Sequence, residues 1–487
     1  MKKILVAAIA VLMASPAFAA IQNVKVSGDI TSTFVDRNNF DLGDTNATNG
    51  QGTLPSAVPV GLKQQNVFIT QTRLRVDADL SDNVSTTVGL INERAWNAET
   101  SSNSGYTNDT NVQLYLASIT MRELLYSPLT VTVGRQIFNY GNGLIMGDGG
   151  VNNQGTGNLQ FIAQDLTMRT AYDGVKAILD YKPLTIDMFY FKNNQTLVNG
   201  NPNSDETSSD VYGINANYQL SDPWTTVLEG YVFSRIDGHT NYTAQGSPTV
   251  QLDKGDTLFV PGLRASTNPI KGLNVQGELA WQLGNHPVQL VNTSANAIQN
   301  SERRGAMAAQ LLGSYSLPVL EKYKPSVNAS YTYVSGDPNS ANGTGTHTER
   351  YTAWDPFNES QGSGTIYNTL FPLSNMNIVS IGASANPLED VTTSFTWSGL
   401  WAVDHYSATN PLALYQPDGG TTQITPTTNN GHKNTGLGNE YDLNLSYAYT
   451  EDVTFGVSVG WYVPGNALAS VNRNTASQAL ANVAVKF

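Results

Sequence analysis

The feature that most constrains the fold is a two-residue alternation of apolar and polar side chains. Near the end of the chain, Val453, Phe455 and Val457 alternate with the small or polar Thr454 and Gly456. Successive side chains of an extended strand point to opposite faces, so each such segment has one apolar face and one polar face. The same pattern recurs along most of the chain, which predicts an all-β protein.

The composition indicates where the apolar faces lie. Charged residues make up only 13% of the chain. Beyond the N-terminal segment, no apolar run reaches the roughly 18 residues of a transmembrane helix. Strands of a transmembrane β-barrel alternate in this way, with apolar side chains toward lipid and polar ones toward the lumen. The sequence therefore predicts a transmembrane antiparallel β-barrel.

Alternating segments can be counted along the whole chain, and most are as long as the roughly 9–11 residues that a tilted strand needs to cross a bilayer. The count gives eighteen strands, at 23–35, 66–80, 84–94, 111–122, 129–137, 168–181, 184–193, 209–220, 223–235, 257–267, 272–284, 304–316, 324–335, 374–386, 390–403, 439–450, 452–463 and 477–487.

The connections between these strands alternate between long and short. Short ones, such as 81–83 and 182–183, separate long polar ones, such as 36–65, 138–167 and 336–373. Membrane barrels have short periplasmic turns and long extracellular loops. A soluble β-sandwich has no reason to sort its connections, and a propeller would show a repeat of fixed length. The pattern therefore favours a membrane barrel.

The N-terminus carries the marks of an exported protein. Lys2 and Lys3 precede an apolar run at 4–14, and small residues follow around Ala19 and Ala20. This is the pattern of a signal peptide, so we expect residues 1–20 to be cleaved and 21–487 to form one barrel domain. The chain also ends in Phe487, as clients of the barrel-insertion machinery commonly do. The predicted location is the bacterial outer membrane, with its lipid and that machinery as partners.

The net charge limits the possible ligands. The formal charge is -13, which argues against nucleic acid because such binding needs a basic footprint. It also argues against a strongly basic pore. The five histidines, His239, His286, His347, His405 and His432, fall in or at the start of predicted loops and show no ligand-like spacing. We therefore predict no enzyme activity and no cofactor.

Two polar loop segments, 36–41 and 336–339, are rich in Asp and Asn. Oxygen-rich loops can bind Ca²⁺. Neither segment matches the EF-hand pattern, however, and both suit ordinary turns. The turn interpretation is favoured, and no metal site is predicted.

Several short segments together resemble one family. They are VTVGRQ at 131–136, NYG at 139–141, YDGVK at 172–176, YVSGD at 333–337, GNEYDL at 438–443 and VPG at 463–465. In this order the segments resemble the alginate export family of outer-membrane porins. The resemblance implies an 18-stranded barrel and passage of an anionic polysaccharide, although the acidic composition does not favour a polyanion.

The alternation also predicts which charges face the pore, because a cation on the lipid face costs about 2–4 kcal/mol at mid-bilayer. These side chains are either a selectivity filter or a salt-bridge ladder that braces the wall. The predicted pore-lining residues are Arg73, Arg75, Asp77, Asp79, Glu93, Lys176, Asp180, Asp187, Glu278, Arg304, Asp442 and Lys486.

Arg135 does not fit the alternation. It shares the parity of Leu129, Val131 and Val133, so a regular strand would point it toward lipid. Either Gly134 marks a bulge or Arg135 lies at the outer rim. The family resemblance implies an inward position near the constriction, and we include Arg135 among the pore candidates. The glycine-rich connection 138–167 is either a segment that folds into the pore or a simple exposed loop.

The sequence predicts a passive channel for carbohydrate or other organic solutes. A general diffusion porin and a surface-binding or structural barrel are the alternatives.

Overall fold

The structure is a computed structural model. It describes residues 23–43, 63–96, 112–147, 163–168, 171–195, 208–237, 241–242, 250–251, 256–290, 298–338, 350–361, 365–406, 412–415, 421–424 and 434–487. The expected signal peptide, residues 1–20, lies outside the described residues. Within these ranges, no helix is long and apolar enough to span a bilayer.

Eighteen long strands form the wall. They are β1 Asn23–Asn38, β2 Gln64–Ser81, β3 Val84–Ala95, β4 Gln113–Met121, β5 Leu129–Gln136, β6 Tyr172–Asp180, β7 Leu184–Gln195, β8 Ser208–Gln219, β9 Val227–Asp237, β10 Asp256–Ile270, β11 Leu273–Leu290, β12 Ala306–Ser316, β13 Ser326–Val334, β14 Met376–Leu388, β15 Val391–Ala402, β16 Gly436–Ala448, β17 Val453–Pro464 and β18 Ala476–Lys486.

Each strand pairs antiparallel with its neighbours in sequence, and β18 pairs with β1 to close the ring. At the seam, Asp29 lies opposite Lys486 and Asn38 lies opposite Ser477. Closure leaves no strand edge unpaired, which is necessary because the bilayer core offers backbone groups no water. The predicted eighteen-stranded antiparallel barrel is confirmed.

The connections are sorted between the two ends of the barrel. One end, the turn end, carries short connections such as 82–83, 271–272 and 389–390, and the other, the loop end, carries the long ones. A short strand at the loop end, Ile298–Arg303, pairs with the outer part of β11, so β11 runs beyond its predicted end at 284. Two further short pairs of strands, 241–242 with 250–251 and 412–415 with 421–424, also belong to this end.

Two strands begin four residues later than predicted, for local reasons. The predicted strand 168–181 begins only at Tyr172, because the amide of Met168 donates to Glu93 of β3 instead of a neighbouring strand. The predicted strand 223–235 begins at Val227. Asp222 accepts bonds there from the amide and hydroxyl of Thr226, which closes a turn.

Alternate side chains of the wall have opposite environments. On the outer face, Leu263, Leu311 and Ile381 are 62%, 56% and 53% exposed. Their strand neighbours on the inner face, such as Gly262 and Gln310, point into the barrel. The exposed aromatic residues near the two ends of the outer face are those expected of interfacial girdles, namely Tyr181, Trp224, Tyr323 and Tyr449 at the turn end and Trp401 and Trp461 at the loop end.

The hydrophobic core lies inside the barrel, in its loop-end half. Wall residues such as Phe191 and Leu400 are fully buried there against loop residues such as Phe138, Trp354 and Phe371. Parts of the long connections therefore fold inward and pack against the inner wall.

A glycine of β1 lies at the turn-end limit of the seam between the first and last strands. The amide of Gly28 donates to the carbonyl of Phe487 at 2.8 Å, and the amide of Phe487 donates back at 3.0 Å. A Cβ atom on Gly28 would lie 2.6 Å from the carbonyl oxygen of Arg73 and 2.7 Å from the Phe487 ring. A larger residue at position 28 would therefore push apart β1, β2 and the C-terminal residue.

We expect Gly28→Val to reduce assembly of the barrel, because overpacking of this kind costs about 1–3 kcal/mol. Folded protein can be measured by heat-modifiable electrophoretic mobility of membrane fractions. Gly313→Val is the matched control, since a Cβ atom on Gly313 of β12 would meet nothing within 4 Å. Equal assembly of the two variants would contradict this role of Gly28.

Candidate permeation pathway

Twelve of the predicted pore residues lie on the inner face of the wall or its rim. Their strand neighbours Leu74, Val88, Val175, Met188, Leu279 and Leu443 are exposed on the outer face, which fixes their own direction. The inward residues are Arg73, Arg75, Asp77, Asp79, Glu93, Lys176, Asp180, Asp187, Glu278, Arg304, Asp442 and Lys486.

The inward position expected for Arg135 is wrong. Arg135 lies on the outer face with Val133 and forms a bidentate ion pair with Asp173 of β6. Although Gly134 has a φ of +118°, it stays in register with Ser118 and Gly174, so no bulge turns the next side chain inward.

Arg135 is part of a longer row of charges on the outer face. Residues 135, 173, 192 and 210 lie directly opposite one another on β5, β6, β7 and β8. Their charges alternate in sign, and Lys192 bonds to Asp210 at 2.9 Å. The row lies close to the loop end of these strands. Charges on the outer face cost about 0–1 kcal/mol near an interface, so this position is tolerable.

The first half of the connection after β5 folds into the barrel. Phe138 is fully buried and stacks on Phe191 of β7 with ring centroids 4.7 Å apart. Farther along, Asn142 accepts a bond from Arg264 on the inner face of β10. This stretch, 138–147, is called the first inner segment. It supports the interpretation of 138–167 as a fold-in loop, while 148–162 lie outside the described residues.

The end of the same connection lies against a different part of the wall. Asp165 pairs with Arg37 of β1 at 2.6 Å, and both side chains are almost completely buried. The hydroxyl of Thr167 donates to Glu93 at 2.7 Å, and Gln71 of β2 donates to the carbonyl of Leu166. These residues, 163–168, are called the second inner segment. The connection therefore touches β7 and β10 near its start and β1 to β3 near its end.

A third inner segment, formed by 350–361 and 365–375, comes from the connection after β13. Asp355 binds Arg235 of β9 at 2.7 Å and Arg304 at 3.1 Å. Arg304 also pairs with Asp256, the first residue of β10. Burial and the nearby Asp355 carboxylate raise the pKa of Tyr351 to about 12, so its ring stays neutral over the guanidinium of Arg304.

A short helix in this third segment, α1 Ile366–Leu370, is held by the wall. The carboxylate of Glu440 on β16 accepts the amides of Ile366 and Tyr367 at 2.8 and 2.6 Å. Carboxyl oxygens at a helix N-terminus accept from amides that lack a partner within the helix. Glu440 is fully buried by this contact.

The inner segments also bind one another. The amides of Gly147 and Ser360 donate to the carbonyls of Asn358 and Gly143 at 2.7 and 2.8 Å, which joins the first and third segments. The hydroxyl of Thr369 in α1 bonds to Asp165, which joins the third and second. Together the three segments narrow the loop-end half of the lumen.

The ion pairs of the inner face differ in accessibility. Arg37 and Asp165 are 0% and 1% exposed, and the other pairs beside the inner segments are largely covered as well. In the turn-end half, Arg75 and Asp77 on β2 are 48% and 34% exposed. Arg73 and Asp29 beside them are 33% and 18% exposed. We call Asp29, Arg73, Arg75 and Asp77 the turn-end charge group.

Some residues of the pathway were missed from the sequence. Arg37 lies beyond the predicted end of β1 at 35, so its inward parity was not considered. Glu229 and Arg264 form a pair at 3.0 Å on β9 and β10, and the alternation of their exposed neighbours could have identified them. Asp165 carried no local signal, because its partners are distant in sequence.

No metal centre emerges from the parts of the chain that the structure describes, since no three His, Asp or Glu side chains there are grouped to hold an ion. In the loop segment 36–41, the amide of Gly43 donates to Asp41 at 3.2 Å, a local bond of a turn.

A family model for alginate export matches residues 52–482. The chain belongs to the alginate export family. It is an outer-membrane solute channel, and its family and fold are those of porins, which are channels rather than enzymes. A comparison with curated proteins finds no match.

Solved structures with a similar fold include three outer-membrane proteins. OccK8 (OprE) of Pseudomonas aeruginosa is 10% identical with a TM-score of 0.52, over 96% of this chain and 98% of that one. The outer membrane protein opdK of the same organism is 9% identical with a TM-score of 0.53, over 96% and 99%. OccAB1 of Acinetobacter baumannii is 10% identical with a TM-score of 0.51, over 97% and 99%.

We expect Asp165→Ala to raise the single-channel conductance. The substitution leaves Arg37 buried without its carboxylate, and breaking a buried pair costs about 3–5 kcal/mol, which favours release of the second inner segment. Planar-bilayer recording measures the change. Asp173→Ala removes the carboxylate of an outer-face pair and is expected to leave the conductance unchanged. A wild-type conductance in Asp165→Ala would show that this segment does not narrow the conducting path.

Proposed function

We propose that the channel passes uncharged, hydroxyl-rich organic solutes, saccharides in particular, by passive diffusion. The observation that carries this proposal is the charge of the inner wall. Its arginines are paired with carboxylates, and its carboxylates outnumber its cations. The proposal differs from the anionic polysaccharide that the family resemblance implies.

The charges on the inner face of the described strands and their rim can be compared directly. The cations are Lys25, Arg37, Arg73, Arg75, Lys176, Arg235, Arg264, Arg304 and Lys486, and the carboxyl groups are Asp29, Asp77, Asp79, Glu93, Asp180, Asp187, Glu229, Asp237, Asp256, Glu278, Glu302, Glu440 and Asp442. A pore for anions would concentrate Arg and Lys without matching carboxylates. This wall offers a polyanion no net attraction and acts first as a braced salt-bridge ladder.

The inner face of β13 and β14 is polar and uncharged in its turn-end half. There the hydroxyls of Ser326 and Ser384 form a cross-strand hydrogen bond at 2.7 Å. Asn328 of β13 is exposed on the same face. Hydroxyl and amide groups both donate and accept hydrogen bonds, as sugar hydroxyls do. A sugar can therefore exchange water for this wall without an electrostatic barrier.

The proposal extends to export and assembly. Residues 1–20 would be a cleaved signal peptide, and residues 21–487 would be inserted as one barrel by the barrel-insertion machinery. Support for a single barrel comes from the wall strands, which form one closed ring through the pairing of β18 with β1. Saccharides and outer-membrane lipid would then be the main partners of the mature chain.

Swelling of proteoliposomes tests the substrate class. We expect wild-type protein to admit a neutral monosaccharide faster than glucuronate, because the inner wall does not attract a carboxylate. In a potassium chloride gradient, the reversal potential should indicate a modest preference for cations. Anion selectivity, with current blocked by uronate oligomers, would overturn the proposal in favour of an anionic cargo. No conductance at all would favour a surface-binding or structural barrel.

A further inference from the structure

We propose that Asp29 and Asp77 are specificity-determining residues of the pore. They mask Arg73 and Arg75, the accessible arginines of the inner wall in the turn-end half, against carboxylated solutes. The inference deepens the proposed function, because it names the side chains that make the accessible lumen selective for uncharged solutes.

The first step is accessibility. Arg75 is 48% exposed and Arg73 is 33% exposed, whereas Arg37 and Arg304 have no exposed side-chain surface. The covered arginines hold the inner segments in place. Arg73 and Arg75 hold no inner segment in the described structure and face the open lumen. A solute that enters from the turn end therefore meets these two guanidinium groups.

The second step is geometry. The carboxylate of Asp77 accepts hydrogen bonds from both Nε and Nη2 of Arg75, at 2.7 and 2.9 Å. These two donors form one of the two edges of the planar guanidinium that can bind a carboxylate of a solute in a bidentate manner. Asp77 is held in this position by the hydroxyl of Thr87, at 2.6 Å. One binding edge of Arg75 is thus already occupied by a fixed carboxylate, whose charge also offsets that of the guanidinium.

Arg73 is masked in a similar way by a different strand. Its Nε donates to both carboxylate oxygens of Asp29 on β1, at 3.1 and 2.9 Å. Asp29 lies directly opposite Arg73 in the β1–β2 register, so the pairing follows from the fold. Each accessible arginine therefore bonds to its own carboxylate, and Lys25 of β1 lies opposite Asp77 as a further cation of this region.

A purely structural role of the two ion pairs predicts a different result from a masking role. If these pairs only braced the wall, loss of one carboxylate would change stability and leave selectivity near the wild-type value. If they mask the arginines, loss of the carboxylate creates a binding site for anions. Asp79 offers a matched comparison, because it lies on the same face of β2 and is opposite Asn23 and Ser85 instead of an arginine.

The experiment uses the full chain in planar bilayers with a potassium chloride gradient and glucuronate as blocker. We expect Asp29→Asn, Asp77→Asn and the double variant to shift the reversal potential toward chloride. We also expect glucuronate to block the double variant at a concentration at least about tenfold lower than wild type, the ratio of one charge-assisted hydrogen bond. Asp79→Asn and the outer-face variant Asp210→Asn should change far less.

A second substitution tests whether the exposed guanidinium of Arg75 causes the effect. Addition of Arg75→Gln to Asp77→Asn should remove the gain in glucuronate block, because the unmasked group is then absent. Asp77→Glu, which keeps a carboxylate in reach, should retain the wild-type selectivity. If Asp77→Asn fails to insert, Asp29→Asn tests the same proposal at Arg73 through a different strand.

Equal shifts for Asp77→Asn and Asp79→Asn would overturn the proposal, since net charge alone would then explain the effect. Unchanged selectivity in all variants would overturn it as well. Swelling of wild-type proteoliposomes in a neutral monosaccharide is measured in parallel. If that uptake is absent, the proposed substrate class fails, while the charge selectivity of the variants still decides the role of Asp29 and Asp77.

Discussion

The structure depends on closure of the sheet between β1 and β18. Inside a bilayer no water is available to backbone amides and carbonyls, so each strand must find a partner on both sides. The seam provides this for the first and last strands, from Asp29 opposite Lys486 to Asn38 opposite Ser477. Once the ring is closed, the two-residue alternation assigns every side chain of the wall to lipid or lumen. A slip of one residue at any pair would exchange the two faces.

The closed wall leaves an interior too wide for its own side chains to fill. Segments of two long connections occupy the loop-end half instead, and both apolar packing and charge hold them. Phe138 stacks on the wall, while Asp165 and Asp355 meet buried arginines. Buried ion pairs are costly to desolvate but also costly to break, so they fix the position of a segment more than they add to overall stability. The result is a packed loop-end half and an open, polar turn-end half.

The sequence was most informative where structure is local. Strand number and inward residues such as Arg73 and Glu278 followed from alternation, because a regular strand cannot place neighbouring side chains on one face. Arg135 shows the limit of a family resemblance. Gly134 suggested a bulge, yet the register is unbroken on both sides and parity alone gave the correct face.

The inner segments could not be derived in the same way. The bonds of Asp165 to Arg37 and to Thr369 join residues 128 and 204 positions apart in sequence, and no periodic pattern reports such contacts. Glu440 is similar, because its burial depends on a helix more than seventy positions earlier in the chain. The local sequence around Asp165 and Glu440 shows no pattern that would predict these contacts. Their roles depend on which distant segment of the chain packs against them.

The charge row across β5 to β8 also limits how the barrel can sit in its membrane. If that side of the wall sank toward the bilayer centre, each of its cations would cost up to about 2–4 kcal/mol. The aromatic rings of Tyr190 and Tyr212, which lie opposite each other one pleat farther from the rim, tolerate a shift in depth much better. The depth of the barrel in the membrane is therefore restrained more strongly at β5 to β8 than elsewhere around the circumference, and this also limits the tilt of the barrel.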